Sequence, residues 1–354
     1  MYNMQEHVKG RPSLFAANGC YFLAAAGLWV VLVFLGAALE PLLSGATPEQ
    51  SNLLINLLYY VPFLLLPVLI HTRSRDCAAD ALRLKPIGFL TTLRIVCIAI
   101  LGLLIAQDGT LLWMTLLQKL GFNVFVDAYV RPANTAELTL SVISAAIVAP
   151  VGEELLFRGV MLSAWERRGA RRAVFATAVL FAMLHGSLIG LPGELFGGVM
   201  LGLVVIWTDS IYAGLVYHSV YNAGVTIQNY LSTAVAADAA EEALMRSDLL
   251  AYLGGAGTAL LLALDILLML LILMMLTRRL RLAYALRNVA AGRRDGESAL
   301  PVDPKLVFHP GMLFGEPEPE DRAPMSTGAA LVLMAGIVSA LCMYGFELVT
   351  MLGG

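Results

Sequence analysis

Three short stretches in the middle of the chain hold side chains that their apolar surroundings do not explain. The first is Val151-Gly-Glu153-Glu154-Leu-Leu-Phe-Arg158-Gly159, the second Phe181-Ala-Met-Leu-His185, and the third His218-Ser-Val-Tyr-Asn222. Ionisable groups in hydrocarbon are costly, so by default they are functional hypotheses. Glu154 and Arg158 stand four residues apart on one helix face and can pair. Glu153 is turned by about 100° from Glu154 and has no partner on its own helix. A salt-bridge anchor therefore accounts for Glu154 and Arg158 but leaves Glu153 over. Phe181 and His185 share a face, as do His218 and Asn222. A lone histidine in a membrane is more often an interhelical hydrogen-bond partner than a catalyst. Two histidines, two glutamates, an arginine and an asparagine on three helices favour a site.

Such a set suits attack of water on a carbonyl. A glutamate polarises the water, a histidine shares the proton traffic, and His218 with Asn222 donate to the developing oxyanion. No serine or cysteine is placed as a covalent nucleophile: Ser163 is nearby in sequence, and Ser219 is rotated away from the His218/Asn222 face. Two other readings use the same residues. Glu153, His185 and His218 are zinc-type ligands that would leave a fourth position for water, although no HExxH is present. A transport, scaffold or immunity protein would instead use the cluster to bind an ion or partner. Asp108 and Asp265, within apolar stretches, fit an ion path on that reading; local pairing or a misplaced span boundary accounts for them otherwise.

The elements that must position these residues are membrane helices. Hydrophobic residues make up 59% of the 354 residues and charged residues only 14%, against roughly a quarter charged in a soluble domain. The fold expected is an all-α, polytopic transmembrane bundle of eight or nine spans, each of about 20 residues. They fall near 16–39, 52–70, 87–107, 137–162, 172–190, 194–208, 210–231, 250–276 and 327–350. Gln107-Asp108-Gly109 predicts a kink or an end in the third. The basic residues Lys9, Arg11, Arg73, Arg75, Arg83, Lys85, Arg167, Arg168, Arg171, Arg172 and the run from Arg278 to Arg294 then all fall on one side. The positive-inside rule makes that side, and the N-terminus, cytoplasmic. Asp238, Glu241, Glu242 and Asp248 fall on the other. Gly193, Gly197, Gly198 and Gly202 predict close helix packing. At about 1.5 Å per residue from the cytoplasmic helix ends, Glu153 lies roughly 21 Å in from Arg167 and His185 roughly 20 Å in from Arg172. His218 and Asn222 lie roughly 12 Å and roughly 18 Å in from Ser210. One depth for the groups is what one site requires.

The motifs Glu153-Glu154-x-x-x-Arg158, Phe181-x-x-x-His185 and His218-x-x-x-Asn222 resemble those of the CPBP family, the CAAX prenyl proteases and bacteriocin-processing enzymes. All three occur in order, each on its own apolar helix. The resemblance implies an intramembrane glutamic endopeptidase in which Glu153 activates water with His185. His218 and Asn222 match oxyanion positions, and Glu154 with Arg158 match support. It also implies either CAAX processing after prenylation or processing of small peptides, self-immunity to bacteriocins or regulation, without choosing among them. No metal or other cofactor is expected, since two glutamates and Arg158 can supply base and charge balance. The depth of the site, with its basic rim, predicts a hydrophobic or lipidated peptide substrate entering from the lipid.

The resulting division is 1–136 (N-terminal helices), 137–231 (catalytic core), 232–276 (external loop and helix), 277–326 (cytoplasmic loop) and 327–354 (C-terminal helix). The loop begins basic and ends in Gly315-Glu-Pro-Glu-Pro-Glu-Asp321, so a basic surface helix is expected in its first part. The expected location is a membrane, of bacterial cytoplasmic type. A net charge of −3 gives no sign of nucleic acid as a partner.

Overall fold

A computed structural model describes residues 12–31, 38–39, 45–66, 68–69, 82–124, 132–235, 256–291 and 325–353. Among them there are helices and no strands. We number the helices α1 Leu14–Trp29, α2 Pro48–Tyr59 with a π-helical continuation Tyr60–Leu65, α3 Phe89–Lys119, α4 Thr135–Arg168, α5 Ala170–His185, α6 Leu191–Thr208, α7 Ile211–Val235, α8 Ala256–Ala291 and α9 Thr327–Gly353. Local sequence sets their ends. Ser13 caps α1, and Thr47 with Gln50 forms a capping box before Pro48 of α2. Asn134 caps α4. Gly169 (φ 97°) breaks α4 from α5, and Gly186 (φ 62°) ends α5 in the left-handed region where glycine is favoured.

Among the described residues, five helices, α3, α4, α6, α8 and α9, are long and apolar enough to cross a membrane. The other expected spans fall on α1, α2, α5 and α7. At 16 residues α1 and α5 are short, and Tyr217, His218, Tyr221, Asn222, Gln228 and Asn229 dilute the apolar run of α7. The lipid-facing character is plainest in α8, where Leu260, Leu261, Leu264, Leu267, Leu268 and Met275 are exposed. The core lies where α4, α5 and α6 meet, around Leu156, Phe157, Val160, Val174, Phe181 and Val204.

Two expectations are corrected. The third span does not end at Gln107-Asp108-Gly109; α3 runs on to Lys119. Its polar residues meet polar residues of other helices instead: Gln107 bonds Gln228 of α7, and Asp108 lies beside Asp265 of α8. Nor does the basic stretch begin a separate helix at Arg278. The same helix continues through Arg278–Ala291, because that stretch is rich in helix-forming Leu, Arg and Ala and holds no breaker. The acidic loop residues 238–248 and the tract 315–321 lie outside the described residues.

The expected glycine packing is present. A Cβ on Gly198 would meet Ala178 Cα at 3.0 Å, and one on Gly202 would meet Val174 at 3.2 Å, so α6 lies directly on α5. At one end of the bundle, Arg83 pairs with Glu166 and, at 3.4 Å, with Asp209. Arg287 donates to the carbonyls of Trp207 and Thr208 there. Burial alone would lower the proton affinity of Arg83, but Glu166 and Asp209 outweigh it and hold the guanidinium charged, above its ordinary value. The basic ends of several helices are thereby tied together.

Candidate active site

Helix α4 is the spine of the site and is not a regular α-helix. It carries wide π turns at Ser144–Val148 and Leu155–Met161. The first precedes Pro150, which cannot donate a backbone hydrogen bond and whose ring crowds the preceding turn. The second contains Arg158. Such π bulges collect at functional sites because they re-aim side chains without ending a helix.

Glu154 is fully buried and fully engaged on one oxygen. Its Oε1 accepts from Arg158 Nη1 at 2.9 Å and meets His218 Nδ1 at 3.0 Å. Its Oε2 lies against Gly214, where a Cβ would come within 2.5 Å. Arg158 is 1% exposed and also donates to Gly198 O at 3.3 Å. Its guanidinium stacks 4.5 Å from the centre of the Phe181 ring, a cation–π contact in a dry setting. The first residue of the second motif thus supports the arginine of the first.

Glu153 has a different environment. Its Oε1 accepts from Tyr60 Oη at 2.6 Å. Its Oε2 is buried and has no hydrogen-bond partner. That oxygen is 3.9 Å from His185 Nε2 and 3.7 Å from His218 Nε2. Nδ1 of His185 faces Phe181 O at 2.9 Å, and a carbonyl can only accept, so Nδ1 carries the proton. Both imidazoles therefore use Nδ1 for support and turn Nε2 toward Glu153. His185 is the open side of the cluster, with its side chain 31% exposed against 6% for Glu153.

Five of the six expected residues converge: Glu153, Glu154, Arg158, His185 and His218. Asn222 lies on the same helix as His218, and the hydrogen bond it makes is to Ala145 O at 2.8 Å, in the first π turn of α4. Two residues went unseen in the sequence. Tyr60 comes from α2, far from any motif. Glu194, in the first turn of α6, interacts electrostatically with His185 and Glu153, and its buried Oε2 has no hydrogen-bond partner. A hydroxyl and a carboxylate near helix ends carry no sequence signal of their own. Among the described residues, no group of three or more His, Cys, Asp or Glu side chains is gathered to hold a metal ion.

The chain matches the family model described as type II CAAX prenyl endopeptidase Rce1-like over residues 135–224. That segment is similar to the Rce1-like family. It runs from the start of α4 into α7 and contains every residue of the three motifs, in agreement with the CPBP resemblance. The Rce1-like match, with the apolar helices, supports an integral membrane protein of CAAX-protease type. No curated protein and no solved structure matches the chain.

Proposed function

We propose that this chain is a glutamic, metal-independent intramembrane endopeptidase that cuts a hydrophobic or prenylated, membrane-associated peptide. The observation that carries the reading is Glu153 Oε2, buried, unpartnered and faced by Nε2 of two histidines. A water held between Oε2 and His185 gives a proton to Oε2 as its oxygen bonds to the substrate carbonyl carbon. His218 keeps Nδ1 on Glu154 and turns Nε2 toward the developing oxyanion, with Asn222 beside it on α7. The proton on Oε2 then passes to the leaving nitrogen as the carbon–nitrogen bond breaks. The exposed edge of His185 is the approach for a substrate arriving from the lipid.

Purified protein should cleave a membrane-bound reporter peptide in the presence of a strong chelator, and Glu153→Ala should not. Equal cleavage by that variant sinks the glutamic reading. Stoichiometric zinc that is lost in His185→Ala would move the cluster to the zinc peptidase reading. Absence of cleavage, with an ion or partner bound by the cluster, would favour the non-catalytic one.

In this account α1, α2, α5 and α7 complete a bundle of eight or nine spans, with the N-terminus and the Arg83/Glu166/Asp209 end at the cytoplasm. The clustering of basic residues supports that side. A reporter fused after Arg172 should read cytoplasmic; an external reading overturns the orientation.

A further inference from the structure

The family match begins at residue 135, yet the shortest contact to the unpaired glutamate comes from outside it. Tyr60 Oη donates to Glu153 Oε1 at 2.6 Å, a length typical of a hydroxyl on a charged oxygen. Three features of the chain bring it there. Tyr60 opens the π segment Tyr60–Leu65, and Pro62 within that segment removes a backbone donor. The ring packs against Tyr59, centroids 5.1 Å apart. It also lies directly on Gly152, where a Cβ would come within 2.9 Å of Tyr60 Cδ1. The residue before Glu153 thus makes room for the tyrosine that reaches Glu153.

Neighbouring tyrosines show that this contact is not an ordinary packing tie. Tyr59 Oη donates to Ala24 O at 3.2 Å and Tyr344 Oη to Ala182 O at 2.8 Å, both backbone carbonyls that join helices. Tyr60 instead meets one oxygen of a buried carboxylate whose other oxygen faces both histidines.

We propose that Tyr60 is a positioning residue of the active site: its hydroxyl fixes Glu153 Oε1 so that Oε2 alone takes and returns the proton. The N-terminal helix pair therefore completes the machinery of the Rce1-like segment as well as packing on it. A carboxylate without that donor rotates about its terminal torsion, which is broad for glutamate, and spends less time with an oxygen toward the water. Substrate binding does not depend on this contact; the chemical step does.

The inference rests on Glu153 being the base, so the test has separate arms for each. Turnover of a membrane-bound peptide is measured for wild type, Glu153→Gln, Tyr60→Phe and Tyr59→Phe in one detergent, with Tm for each. Tyr60→Phe is expected to lower kcat about ten- to a hundredfold, the usual weight of a hydrogen bond to a charged group, with KM within about twofold and Tm near wild type. Tyr59→Phe is expected to show the reverse, a lower Tm with kcat kept. If Glu153→Gln is inactive while Tyr60→Phe keeps wild-type kcat, the role of Tyr60 is overturned and the base assignment stands. If Glu153→Gln retains activity, the base assignment fails whatever Tyr60→Phe does. Should Tyr60→Phe fold poorly, 3,5-difluorotyrosine at position 60 preserves the shape and alters the hydroxyl as a donor. An altered kcat at unchanged KM then supports the role, and an unchanged kcat overturns it.

Discussion

Glu153 and Glu154 are adjacent in the chain and both buried, yet their surroundings differ. Glu154 shares one oxygen between an arginine and a histidine, and that arginine is itself held by Gly198 O and the Phe181 ring. Glu153 receives one neutral hydroxyl and leaves its second oxygen open between two imidazoles. A rotation of about 100° along one helix is enough to separate the two environments. Both carboxylates leave Oε2 without a hydrogen-bond partner, but Oε2 of Glu154 is closed in against Gly214, whereas Oε2 of Glu153 faces Nε2 of two histidines. His218 joins the two, with Nδ1 on the closed carboxylate and Nε2 toward the open one.

Breaking the closed side should have the largest effect on stability. Arg158→Leu leaves Glu154 without its cation in a site that is 0% exposed. Loss of one partner of a buried pair costs about 3–5 kcal/mol, so a sharp fall in Tm or in the yield of folded protein is expected in thermal unfolding in detergent. A variant as stable as wild type would mean that Glu154 is not a buttress. On the open side the expected effect is smaller and of another kind. Tyr60→Phe should slow turnover at nearly constant Tm, and a matching loss of stability would show that the open side is structural too.

Much of this contrast was legible in the sequence, and the limits have physical causes. The pairing of Glu154 with Arg158 follows from i, i+4 spacing and survives the π turn that contains Arg158. The convergence of His185 and His218 on Glu153 was expected from their similar depth in separate helices. The glycines of α6 announced its contact with α5. What could not be read was the turn of each imidazole, since the tautomer depends on Phe181 O and Glu154 Oε1 in three dimensions. That geometry aims Nε2 of His218 at Glu153 Oε2, 3.7 Å away, and ties Asn222 to Ala145 O. Tyr60 was invisible for a similar reason: a tyrosine in an apolar helix ordinarily signals packing, and only the Gly152 gap turns it toward Glu153. The continuity of α3 was misread because Gln107 and Asp108 look like an interruption until Gln228 and Asp265 are placed opposite them.

The central claim is that the two glutamates are not equivalent, and one paired measurement tests it most directly. Turnover and thermal stability are determined for Glu153→Gln and Glu154→Gln, purified in the same detergent and given the same membrane-bound peptide. Glu153→Gln keeps the shape of the side chain and removes the base, so it should bind substrate, melt near wild type and show no turnover. Glu154→Gln should lose stability, because Arg158 is left an uncompensated buried cation, while retaining some activity. If Glu153→Gln keeps most of its turnover and Glu154→Gln is inactive yet as stable as wild type, base and buttress are the other way round.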